Sequence, residues 1–78
     1  MNNSFNIKLK NQRHKETIIT VSPNDTIGQL KAKVGADPND IWKLDGETLK
    51  NDKTISFYNI EKDDVIGTNP KHPGGIYK

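Results

Sequence analysis

Cysteine is absent from this chain, so neither a disulfide nor a thiolate metal site can hold it together. Aromatic side chains are scarce: two Phe, one Trp and two Tyr among 78 residues, in an apolar share of 31%. A chain this lean builds one small core by packing alone, and modest stability is expected. Histidine is rare as well, and His14 and His72 are too few and too far apart for a metal cluster. No apolar run is long enough for a membrane span or a secretory signal, which leads to the expectation of a soluble, cytoplasmic protein that acts away from membranes. Neither charge sign dominates. The 12 basic and 10 acidic residues are interspersed to a net +2, and no basic stripe points to nucleic acid. What is abundant is lysine, which supplies eleven of the 12 basic residues and hence many amines open to acylation.

Period two comes first along the chain. Phe5, Ile7 and Leu9 alternate with Asn6, Lys8 and Lys10, the pattern of a half-buried strand. After the polar turn Asn11-Gln12-Arg13-His14-Lys15, the residues Thr17, Ile19 and Val21 alternate with Glu16, Ile18 and Thr20, and the two strands predict a hairpin. Ser22-Pro23-Asn24-Asp25-Thr26 breaks the strand, and Asp25 or Thr26 is placed to cap a helix. Ile27, Leu30 and Val34 then form one apolar stripe, with Gln29, Lys31 and Lys33 expected in water and Gly35 ending the helix. Ile41-Trp42-Lys43-Leu44 reads as a third strand, Asp45-Gly46 as a hairpin turn, and Thr48-Leu49 as a very short strand. Residues 55–60 read as an apolar turn or a one-turn helix. Val65 and Ile66 begin a last strand that Gly67, Pro70 and Pro73 should end early. The expected core is Phe5, Ile7, Leu9, Ile19, Val21, Ile27, Leu30, Val34, Leu44, Leu49 and Ile60. This order predicts an α+β fold of the β-grasp kind, a mixed sheet of four to five strands around one short helix. Residues 1–4 are expected as a disordered N-terminus, 5–67 as the folded domain and 68–78 as a flexible tail.

That tail contains Gly74-Gly75. Without Cβ atoms two such residues can thread a narrow enzyme channel, although the same freedom suits any loose terminus. Catalytic groups find no support elsewhere: His14 reads as a solvated turn residue with no triad around it, and Asp63-Asp64 as a turn. The chain is therefore not expected to be an enzyme, and no cofactor or metal is expected in it.

Five segments, in order, resemble the ubiquitin family: Ser22-Pro23-Asn24-Asp25-Thr26-Ile27, Leu30-Lys31-Ala32-Lys33-Val34, Asp45-Gly46-Glu47-Thr48-Leu49, Lys53-Thr54-Ile55 and Tyr58-Asn59-Ile60. The thirteen residues from Glu61 to Pro73 then set Gly74-Gly75 at the family's own interval. The resemblance implies a protein modifier, processed between Gly75 and Ile76 and conjugated through Gly75, with Gly74 beside it, to an amine on a target protein. It implies as partners an activating enzyme that uses ATP, a conjugating enzyme and a processing peptidase, of metalloprotease or cysteine type, acting on a monomer. Ile76-Tyr77-Lys78 becomes a removable extension. More loosely, the short helix and proline-bearing tail are similar to ubiquitin-like proteins of bacterial operons that encode such enzymes.

The departures matter equally. Positions of the family's apolar docking patch fall here on Gln12, Lys43 and Asn69, so receptors of that patch are not expected to bind. Candidate interface residues are Trp42, Lys43, Lys71 and His72. Lys62 is the candidate acceptor for chain formation, with Lys10, Lys15, Lys31 and Lys33 as further surface amines, while Glu47 occupies another position where the family carries a lysine. Two other roles share the fold: a docking module that conjugates nothing, and a sulfur carrier with a terminal thiocarboxylate.

Overall fold

The computed structural model describes residues 3–70. Strand β1 (Phe5–Lys10) pairs antiparallel with β2 (Glu16–Val21) in the register Ile7↔Ile19 and Phe5↔Val21, which turns the apolar set of both strands to one face. The turn between them places His14 at φ 64°, and Asn11 Oδ1 accepts from the backbone N–H groups of Arg13 and Lys15.

Helix α1 (Ile27–Lys33) begins in a complete capping box. Thr26 Oγ1 accepts from Gln29 N–H at 3.1 Å, and Gln29 Oε1 accepts from Thr26 N–H at 2.8 Å. Seven residues cannot form a stable helix alone, so this cap and the sheet beneath carry it. Thr26→Ala is expected to lower stability by about 0.5–2 kcal/mol in a urea melt, with an unchanged m value. An effect below that range would mean that the box adds nothing to packing.

Strands β3 (Ile41–Leu44) and β4 (Glu47–Thr48) close a two-residue hairpin in which Asp45 and Gly46 sit at φ 52° and 84°. Both angles are positive, as the twist-matched turn requires. Ser56–Tyr58 forms one turn of 3-10 helix. The last strand, β5 (Val65–Asn69), lies in the middle of a five-stranded sheet of order β2-β1-β5-β3-β4, parallel to β1 and antiparallel to β3. This is the α+β β-grasp arrangement: a mixed sheet with one short helix.

β5 runs two residues past the end expected at Gly67, so residues 68 and 69 belong to the sheet and not to a tail. The reason is pairing on its β3 side, with Trp42 opposite Thr68 and Ile41 opposite Asn69; the strand stops just before Pro70, which has no N–H to donate.

The core comprises Ile7, Leu9, Ile19, Val21, Ile27, Leu30, Trp42, Leu49, Ile55, Ile60 and Ile66. Phe5 and Leu44, expected inside, are half-buried against it. Val34, also expected inside, is 37% exposed. α1 ends one residue earlier, and Val34 is its C-cap at φ −99°, rotated off the helical stripe. Lys31, four residues after Ile27, takes the remaining place on the buried face.

Candidate functional site

Gly74, Gly75, Ile76, Lys71 and His72 lie outside the described residues. The sites that can be placed are the surfaces β5 leads to, the lysines and the aromatic residues.

Trp42, a candidate interface residue, is 1% exposed and belongs to the core. β3 alternates across the sheet, so with Lys43 outward its neighbour Trp42 must point inward, and Thr68 lies opposite it on β5. The indole Nε1 has no hydrogen-bond partner. The residue also lines a pocket of about 210 Å³ with Leu9, Val34 and Ala36, left open where the short helix stops.

Lys31 was expected in water and is buried, 3% exposed. Its ammonium donates to the Asp40 carbonyl at 2.6 Å, to Asn51 Oδ1 at 2.7 Å and to the Pro38 carbonyl at 3.4 Å, while Asn51 Nδ2 ties Pro38 O at 2.8 Å. The Trp42 ring lies 5.8 Å from the same nitrogen. Burial pushes the Lys31 pKa below its ordinary value, and the carboxylates of Asp40 and Asp37 pull it partly back. An amine enclosed in this way cannot reach an acyl donor, which removes Lys31 from the candidate acceptors. Lys33, though exposed, has its ammonium 2.8 Å from the Thr20 carbonyl. Lys62 stands exposed on the turn before β5, where Asp63 adopts φ 68° and donates to Asn6 O at 2.8 Å.

Strand register defines the outer sheet face. Glu16, Lys10, Gly67, Lys43 and Thr48 follow one another across it, with Lys10 and Lys43 on either side of a residue without a side chain. Gln12 is exposed in the hairpin turn and Asn69 half-buried at the end of β5. The middle of this face is therefore polar and basic, and its apolar side chains stand at the margins: Ile18 and Val65 flank Lys8 in the next row, and Ile41 is opposite Asn69.

Among the described residues the exposed aromatic is Phe57, which no pattern in the sequence singles out. Its only signal there is its place between Ser56 and Tyr58 in an apolar turn, which does not show which of the two rings turns outward. Among the described residues no group of three or more His, Asp or Glu side chains could hold a metal ion, and no helix is long and apolar enough to cross a membrane.

A family model described as the Ubiquitin family matches residues 7–69, a span from the second residue of β1 to the last of β5. A comparison with curated proteins returned no match.

Proposed function

The chain belongs to the ubiquitin family, and from that premise we propose that it is a protein modifier, trimmed after Gly75 and joined through the Gly75 carboxylate to an amine of another protein. The observation that carries the reading is where the sheet ends. β5 is paired with β1 up to Gly67 and with β3 up to Asn69, and Gly74 follows five residues after Asn69, so a paired central strand precedes a short segment bearing the diglycine. Ile76-Tyr77-Lys78 is then the extension removed by a peptidase.

The chemistry requires a free carboxylate. ATP converts it to an acyl-adenylate with release of pyrophosphate. The thiolate of an enzyme cysteine displaces AMP to form a thioester, and a lysine amine displaces that thiol to form an amide. Every catalytic group and the ATP site belong to the partners. This chain contributes two residues that lack Cβ atoms, a domain that positions them, and a basic face around Lys10 and Lys43 for the partners to read. Lys62, exposed like Lys15, Lys43 and Lys50, stands at the position that the family resemblance assigns to receive a second modifier.

The test expresses the full chain with the genes that neighbour it and follows intact mass. A form ending at Gly75, and the same form attached to other proteins, is the expected result. Gly75→Ala should abolish trimming or attachment, which would appear as loss of conjugates. If the chain persists only with Lys78 attached and conjugates never form, it is a docking module. A trimmed form in which one sulfur replaces one oxygen would make it a sulfur carrier.

A further inference from the structure

The 3-10 turn that carries Phe57 is fixed from several directions. Ser56 N–H donates to Pro23 O at 3.0 Å, Phe57 N–H to Thr54 Oγ1 at 3.1 Å, and Asn59 N–H to Ser56 O at 3.1 Å, with Asn59 in the left-handed region at φ 55°. Ile60 N–H closes the turn on Ile55 O at 3.2 Å. Tyr58 meets the Phe57 ring edge to face at 5.1 Å, and its own hydroxyl accepts from Lys50 N–H at 2.8 Å. The Lys53 ammonium lies 4.9 Å from the Phe57 ring centroid. Phe57 remains 59% exposed all the same. An aromatic ring held in one place and left in water loses little freedom when a partner covers it, which is the property of a binding anchor.

Next to the turn is a groove of about 270 Å³, walled by Phe5, Pro23, Ile55 and Ile60 and bordered by Glu61. The chain thus carries an apolar knob and an apolar groove side by side.

We propose that this surface pairs two copies of the chain about a two-fold axis, with Phe57 of one copy seated in the groove of the other. Charge selects this occupant. The knob carries a cation, Lys53, and the groove carries an anion, Glu61; neither side chain has an ion-pair partner among the described residues. A two-fold axis that seats both rings also brings each Lys53 toward the partner's Glu61, so the same surface is complementary to itself in shape and in charge. One ring and one groove per copy is a small contact beside the roughly 1,200–2,000 Å² of a stable interface, and the pairing is accordingly weak and reversible. It is independent of whether Gly75 is conjugated.

The test follows backbone amide shifts and translational diffusion of the full chain from micromolar to millimolar concentration. Shifts that move with concentration at residues 53–61 and at Phe5, together with slower diffusion, are expected. Phe57→Ser, at an exposed position that leaves the fold intact, should lose the concentration dependence while keeping its melting temperature. Lys53→Glu should weaken pairing, and Lys53→Glu combined with Glu61→Lys in one chain should restore it. Spectra and diffusion that stay constant up to millimolar concentration overturn the proposal. So does a Phe57→Ser chain that pairs like its parent, or a double swap that pairs no better than Lys53→Glu alone.

Discussion

Trp42→Ala is expected to cost about 3–5 kcal/mol, the range for removing a large aromatic from a core. Domains of this kind are stable by about 5–15 kcal/mol in all, and this one, with its few aromatics, belongs at the lower end, so the variant should keep no more than about 2 kcal/mol, with from a few per cent to about half of the population unfolded at room temperature. The cause is threefold. The side chain is 1% exposed and is the largest of the fully buried ones; its ring lies beside the Lys31 ammonium; and it walls a pocket of about 210 Å³ that its loss would widen. Far-UV circular dichroism in urea is the suitable measurement, because the variant has no other tryptophan to report by fluorescence. Trp42→Phe should cost much less, since it also removes an indole N–H that has no partner. A loss under about 0.5 kcal/mol for Trp42→Ala, the size of an ordinary surface change, would return the residue to the surface.

Leu30→Ala carries the second large effect, about 2–5 kcal/mol. Leu30 is 1% exposed in the middle of a seven-residue helix whose other buried members are Ile27 and Lys31. Without Leu30 the helix keeps one aliphatic anchor, and a helix of this length does not persist unless it is packed. Val34→Ala is the control. Its side chain looks equivalent in the sequence stripe but is 37% exposed, so its replacement should change stability by no more than roughly 0.5 kcal/mol. Equal losses at the two positions would contradict the observed end of the helix.

The contrast between Leu30 and Val34 shows where sequence reading reaches its limit. The strands β1 and β2, the capped start of α1, the Asp45-Gly46 turn and the order of elements are all written in local patterns, because alternation, capping and positive φ are properties of neighbouring residues. The phase of β5 is not local. Val65 and Ile66 are both apolar, and only the pairing of Leu9 with Ile66 and of Lys8 with Val65 decides which one enters the core. The burial of Lys31 and of Trp42 escapes local patterns for a related reason. A charge suggests water and a lone indole suggests a surface anchor, whereas here the backbone carbonyls of Pro38 and Asp40 and the amide of Asn51 converge from distant segments to receive the ammonium next to that indole. The diglycine was legible as a spacing alone, and the exposed ring of Phe57 was hidden because its neighbour Tyr58, equally aromatic, turns inward to bond Lys50.

The position of β5 also governs when this protein can come into being. Among the described residues the strand at the centre of the sheet is the last one synthesised: Lys8 pairs with Val65 and Lys10 with Gly67, contacts that span most of that length. Before those residues leave the ribosome, β1 and β3 have nothing between them, and only the two local hairpins and a marginal helix can form. A product that stops short of Val65 has no middle to its sheet and is left as substrate for proteolysis. Since Gly74-Gly75 is made later still, every copy that carries the diglycine also carries the strand that closes the fold.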